Sequence, residues 1–458
     1  MYSLPTRTGY SLLLLILGSL SFSHTATALP SFTRQTGMAC TACHTQSFGP
    51  NLTPYGRQFK LHGYVWGDNE SLLSRLGGMV MGSMTNLKRN DPSIPANSDF
   101  SGRDFNANNN LALDQVSAFY GGRIYQQMGA LMQFTYNGVS SSFKLDNSDI
   151  RIASENDWLG QNFVYGLSVN NNPTVQDLWN TTPAWGYPYA QSPFTPGVIL
   201  GPEISSFGGA VGGASLYSLI NDLIYIEAGA YTSLAKDMQR GLGYIDPRRI
   251  DGGAPYWRIN LQKEWHGHYW SLGHFGFRAN VQPDVTVSSP TDRYTDLGVD
   301  FNYQYLANPL HIYEFKASYI REQQELAATY NPAFDINNPS GASRYNQQLG
   351  FLALNTSYTY DQTYSLSVAF NHSYSNRDLG LYNNSPSFKP NSEYFTFEFD
   401  YIPFGKLASS GASSYKNLRF AAQYVAYTQL NGADKNYDGT GRSSSDNNTL
   451  YFNGWLIF

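Results

Sequence analysis

The sequence predicts an all-β chain: an outer-membrane antiparallel β-barrel of about sixteen strands, with a small N-terminal module plugging the lumen or its periplasmic mouth. Three observations predict it. Segments of 10–14 residues alternate apolar and polar side chains with a period of two, which is the period of a strand. Charged residues make up only 14% of the chain and aromatics 15%, with 35 Tyr and 42 Gly. Few charges and many Tyr suit a membrane barrel with aromatic girdles. The chain also ends on Phe458, with Leu450, Phe452, Gly454 and Leu456 on the same face of an alternating last segment.

The expected organisation is a signal peptide over 1–28, a plug module over 29–74 and a barrel over 75–458. Arg7 is the single charge before the apolar run Leu12-Leu13-Leu14-Leu15-Ile16-Leu17, and Ala26-Thr27-Ala28 is an A-x-A cleavage signal. The run of about ten residues is too short to span a bilayer as a helix. No second apolar run of about 18 residues follows, so no transmembrane helix is expected. The net charge of −5 argues against a nucleic-acid partner.

The plug module carries the most specific motif. Cys40-Thr41-Ala42-Cys43-His44 reads C-x-x-C-H, the attachment sequence of a c-type haem. Two thiols two residues apart add across the two vinyl groups of one haem, and the next side chain offers an imidazole to the iron. Cys40 and Cys43 are the only cysteines, so no disulfide framework competes for them. The alternative is a redox C-x-x-C pair or a local disulfide. A redox pair belongs in a βαβ setting, and the flanks Thr36, Gly37 and Thr45 show no such pattern. The expected cofactor is therefore one covalent haem c. About 45 residues are too few for an independent core. The haem and the walls of a wide barrel supply the missing apolar surface.

His44 is the expected fifth ligand. The reading leans to His62, 18 residues further on, as the sixth, with an ordinary hydrogen-bonding role as its alternative. Met38, Met79, Met81 and Met84 are the other candidates. Met79 and Met81 share one face of the first strand, where packing or lipid contact is their ordinary role.

Strands are expected near 76–88, 110–122, 127–137, 141–152, 161–170, 207–218, 223–232, 255–264, 268–281, 294–306, 310–322, 345–359, 363–375, 393–404, 415–428 and 448–458. In one of them Phe395, Phe397, Phe399 and Tyr401 alternate with Thr396, Glu398 and Asp400. Lipid outside and a polar lumen inside produce that division. Short connections alternate with long ones, notably 89–109, 171–206, 233–253, 323–343, 376–392 and 429–447, except around 137–160. Short periplasmic turns and long outer loops give this asymmetry. A soluble sandwich also alternates, but its strands are usually nearer 5–6 residues.

Two weaker patterns remain. Asp434-Lys435-Asn436-Tyr437-Asp438-Gly439 fits half of a calcium loop, but position twelve is Ser445, so an Asp-Gly turn is the preferred reading. His266, His268 and His274 straddle a proposed turn and read as interface or lumen residues.

The run Leu29-Pro30-Ser31-Phe32-Thr33-Arg34-Gln35-Thr36-Gly37-Met38-Ala39-Cys40, then Cys43-His44, Leu52-Thr53-Pro54-Tyr55-Gly56-Arg57-Gln58-Phe59-Lys60 and Gly63-Tyr64, resembles the N-terminus of the fused outer-membrane monohaem cytochrome–porins. That family includes the iron oxidases of iron-oxidising bacteria. The resemblance covers 29–64 sharply and the rest only as architecture. It implies an oxidoreductase that takes electrons from extracellular Fe(II) or a similar donor and passes them to a periplasmic carrier such as a soluble cytochrome. Cys40, Cys43 and His44 carry over; no iron-oxidising residue does. The rival reading is a diffusion or uptake porin with a structural or sensing haem, and a second rival reverses the electron flow. Lumen-facing Asp300, Glu314, Glu398 and Asp400 either concentrate cations or line a polar channel beside Arg258, Lys316 and Arg419.

Overall fold

The computed structural model describes residues 31–67, 71–91, 94, 105–244, 246–284, 290–405 and 417–458; the expected signal peptide lies outside the described residues. Among the described residues, sixteen long strands form one closed barrel. They are β1 Leu76–Leu87, β2 Asn110–Tyr125, β3 Met128–Asn137, β4 Ser142–Trp158, β5 Gln161–Asn170, β6 Val211–Ile220, β7 Ile224–Ser233 and β8 Ala254–Trp265. There follow β9 His268–Gln282, β10 Asp292–Tyr305, β11 His311–Glu325, β12 Asn346–Tyr360, β13 Tyr364–Ser375, β14 Ser392–Tyr401, β15 Asn417–Gln429 and β16 Thr449–Ile457. The two residues Arg249–Ile250 extend the sheet beside the end of β9. Each long strand pairs antiparallel with its neighbours in sequence, and β16 closes on β1 from Met79↔Ile457 to Leu87↔Thr449. Closure leaves no open sheet edge, so the ladders satisfy the backbone without water.

The two faces are segregated as the alternation predicts. On β14, Thr396, Glu398 and Asp400 are buried while Phe397 and Phe399 are 43% and 48% exposed. On β10, Asp300, Asn302 and Gln304 are buried while Leu297 and Val299 face outward. An apolar belt around the whole circumference is stable only against hydrocarbon. The chain is an outer-membrane β-barrel.

The short turns are tight. Asn221 and Asp222 both have positive φ (51° and 52°), as do Asp361 and Gln362 (54° and 52°). Two successive left-handed residues match the right-handed twist of a hairpin, and Asn and Asp tolerate that conformation best. Around 137–160 the irregular spacing resolves simply. β4 runs to Trp158, longer than expected, which leaves Leu159 and Gly160 as a two-residue turn.

The largest departure from the expected layout concerns the connection between β5 and β6. Residues 171–210 do not extend outward. They fold into the lumen, where Thr174, Gln176, Asp177 and Trp179 are all no more than 2% exposed. Leu178 and Trp179 pack with Leu61 of the N-terminal segment and with Tyr217, Tyr225 and Tyr269 of the wall. The lumen is therefore filled at this level rather than wet.

Candidate functional site

The N-terminal segment builds the site from three short helices, α1 Ser31–Thr36, α2 Cys40–Cys43 and α3 Pro54–Leu61. Gly37 ends α1 with φ +67°, and its N–H donates to Thr33 O at 2.9 Å. A left-handed glycine after the last turn is a favoured stop. The chain re-enters a single turn at Cys40, closed by His44 N donating to Cys40 O at 2.9 Å. Cys40 and Cys43, three apart on one turn, point to the same side.

Residues 45–51 then form a loop closed by the bridge His44↔Leu52. Thr53 joins the two halves. Its Oγ1 accepts from Gly56 N at 3.2 Å, capping α3, and donates to Ala42 O at 2.5 Å in the motif turn. Thr53 N donates to Cys43 O at 2.9 Å. Pro54 at the first helical position has no N–H to lose.

Buried basic side chains fix this module inside the barrel. Arg57 donates to Leu52 O at 2.7 Å and to Gln304 Oε1 of β10 at 3.1 Å, and its guanidinium lies 3.8 Å from the Tyr269 ring centroid. Lys60 Nζ donates to Val175 O at 2.8 Å and Asp177 O at 2.7 Å of the inward loop. Arg419 of β15 donates to Phe48 O at 2.7 Å. Ser47 N donates to Gln362 Oε1 at 2.8 Å, and Gln58 Nε2 to Asp222 Oδ1 at 2.7 Å, both on short turns. The module thus sits at the short-turn end of the lumen.

Between module, inward loop and wall lies a cavity of about 480 Å³. Cys40, Cys43 and His44 line it, with Phe32, Phe48 and Phe59 beside them. Met79, Phe119, Leu131 and Trp455 face it from the wall, and Trp185 and Tyr189 from the loop. Burial raises the Cys40 thiol, and it pushes the Cys43 thiol up to about 12, with Cys40 adding to it. Desolvation lowers the His44 imidazole to about 4, against the opposing pull of the Asn51 and Gly49 backbone. His44 Nδ1 is buried with no hydrogen-bond partner.

These features fit a haem better than a redox dithiol. A reactive C-x-x-C needs a depressed thiol pKa, whereas both thiols here are raised. Desolvation of His44 favours its neutral form, the form in which an imidazole ligates a metal. The cavity has the size and the largely apolar lining of a cofactor site.

His62 does not line this cavity. Its Nδ1 meets Gln58 O at 2.8 Å and its Nε2 meets Glu155 Oε2 at 3.2 Å. Both ring nitrogens are thus engaged at the short-turn end. Of the methionines, Met38 and Met79 line the cavity. Met81 faces the lumen outside it, and Met84 is 41% exposed on the outer surface. Met79 and Met81 therefore belong to the lumen face, not the lipid face. Ser83 and Thr85 share that face and are buried with them, a signal present in the sequence.

Three of the four expected lumen carboxylates, Asp300, Glu314 and Asp400, lie near cations, while Glu398 accepts from Gln423 Nε2 at 2.6 Å. Arg258 Nη2 lies 2.7 Å from Asp300 and 3.4 Å from Asp177. Lys316 Nζ lies 3.6 Å from Glu314, and Arg419 Nε lies 3.9 Å from Asp400. His266, His268 and His274 do not converge: His268 meets Tyr303 OH at 2.9 Å and His274 meets Gly298 O at 2.9 Å. Asp438 Oδ1 accepts from Thr440 N at 2.9 Å and Arg442 N at 3.2 Å, so that loop closes on itself as a turn. Sequence spacing missed Arg57, Lys60 and the inward loop, whose roles arise only through distant partners.

Fold and motif together define a porin-like outer-membrane barrel whose short-turn end is plugged by a Cys-x-x-Cys-His module. No family model matches the chain, and no curated protein matches it. Among solved structures it is similar to in-vitro folded OmpT, an outer membrane protein of Vibrio cholerae, at 11% identity over 84% of this chain and 96% of that one (TM-score 0.42). The outer membrane channel DcaP of Acinetobacter baumannii gives 12% identity over 84% and 96% (TM-score 0.41). An anion-selective porin from Comamonas acidovorans gives 10% over 83% and 98% (TM-score 0.41).

Proposed function

We propose that this protein carries electrons across the outer membrane through one covalent c-type haem, between an extracellular donor such as Fe(II) and a periplasmic carrier. The observation that carries this reading is the cavity. The two thiols and the imidazole of C-x-x-C-H line one cavity inside the barrel, and the inward loop and three buried basic side chains pack around it. Cys40 and Cys43 would hold the haem as thioethers, and His44 would ligate its iron. When bound, the haem supplies a one-electron couple. The protein's own part is to bury His44, line the cavity with Phe32, Phe48 and Phe59, and fix the module against β10 and β15. The resemblance to the fused cytochrome–porins supports Fe(II) as donor. The test is a redox titration of purified protein with stopped-flow Fe(II) addition. Rapid reduction of a covalent haem is expected; a haem inert to Fe(II) removes that donor.

The second reading is a diffusion or uptake porin with a structural or sensing haem. The strand number favours it, because sixteen-stranded barrels are wide enough for an aqueous channel. Liposomes separate the two. A lumen filled by the module and residues 171–210 should not pass small sugars, and porin-like swelling rates would favour the channel.

A further inference from the structure

We propose that Met79 is the second axial ligand of the haem iron. This rests on the haem reading above and adds a residue from the barrel wall to the module's own motif.

A six-coordinate c-type iron needs a second donor besides His44, most often a histidine or a methionine. The donor must reach the chamber that holds the two thiols. Of the residues that line it, three carry a histidine or methionine donor: His44, Met38 and Met79. His62 lies outside it, with Nδ1 on Gln58 O and Nε2 on Glu155.

Met38 and Met79 differ in the ways that matter. Met38 lies two residues before Cys40, in the same short segment as the thiols, and is 37% exposed. Its backbone N–H is tied to Thr36 Oγ1 at 3.2 Å. Met79 comes from a different element and is 3% exposed. It stands at the last residue pair of the barrel seam, held by ladders on both sides, with Ile457 on one and Ser117 on the other. Its thioether accepts a long contact from Gln115 Nε2 at 4.0 Å. The sulfur is therefore buried, held on a strand and nearly unpartnered, facing the chamber that His44 also lines. Rigid strands position ligands better than loops do.

The pairing has a consequence for potential. Methionine with histidine favours the ferrous state over two histidines. A chain ligated this way suits an electron donor of relatively high potential.

The experiment compares purified, haem-loaded wild type with Met79→Leu, Met79→His, Met38→Leu and His62→Ala. Wild type should show the near-red sulfur-to-iron charge-transfer band in the ferric state. Met79→Leu should lose it and drop in midpoint potential. Met79→His should keep a low-spin haem, lose the band and also drop, which shows a folded site with an exchanged ligand. Met38→Leu and His62→Ala should leave band and potential unchanged. Survival of the band in Met79→Leu, its loss in Met38→Leu, or a low-spin wild type without the band that changes in His62→Ala would each overturn the assignment. If wild type carries no covalent haem at all, the haem reading itself falls and the Met79 assignment falls with it.

Discussion

Gly56 of α3 lies against Cys43 so closely that a Cβ there would stand 2.3 Å from the Cys43 carbonyl oxygen. The helix that follows the motif therefore crosses the motif turn backbone to backbone. Gly56→Ala should disrupt the module by forcing this crossing apart. Overpacking of this kind typically costs about 1–3 kcal/mol. Haem staining per unit of barrel should fall, while heat-modifiable gel mobility stays as in wild type. Unchanged staining would mean that α3 does not hold the motif turn.

Covalent attachment is the most direct prediction. Denaturing gels of wild type should show a haem-stained band at the protein's position, and Cys43→Ala should abolish it. Extraction of the haem by acid acetone from wild type would refute the c-type assignment.

The barrel seam makes a third. Phe458 N donates to Gly78 O at 2.9 Å, and Gly78 N donates to Phe458 O at 2.8 Å, just beyond the last residue pair of β1 and β16. The Phe458 ring covers Gly78, where a Cβ would meet it at 2.6 Å. Deleting Phe458 removes both bonds and the ring at the closing edge. Outer-membrane assembly should be impaired, read as loss of the heat-modifiable form. Wild type should give a β-dominated circular dichroism spectrum; recovery of mature protein from the soluble periplasm would contradict the architecture.

Lys60 supplies a pH dependence. Desolvation, with Arg151 adding to it, lowers its ammonium to about 7 from an ordinary 10.5. The unfolded chain therefore holds more protons than the folded one between these values. Stability rises with pH wherever the unfolded state binds more protons. Docking of the module should thus strengthen from about pH 7 toward pH 10 and gain nothing from raising pH below that window. Limited proteolysis of the segment around Lys60 should slow over this range in wild type. Lys60→Met should flatten the profile; a wild-type profile already flat would show that Lys60 is not desolvated.

Much of this protein follows from local pattern. Period-two alternation is imposed by strand geometry itself, so β10, β11 and β14 were legible residue by residue, down to which side chains face lipid. Tight turns were legible for the same reason, since Asn221-Asp222 carries its conformational preference in its own residues. The C-x-x-C-H motif was legible because its chemistry fixes its spacing. What the sequence could not decide was where separate segments meet. Residues 171–206 read as one more outer loop, because loop composition does not say which way a loop folds. Their inward course depends on Leu61, Tyr269, Lys60 and Arg258, which lie far away along the chain. Met79 and His62 make the same point. Proximity in sequence favoured His62 as partner to His44, but a module docked in a barrel takes half its surroundings from the wall. Only the closed sheet, by setting the register of β1 against β16 and the depth of the plug, puts Met79 at the chamber and leaves His62 outside it.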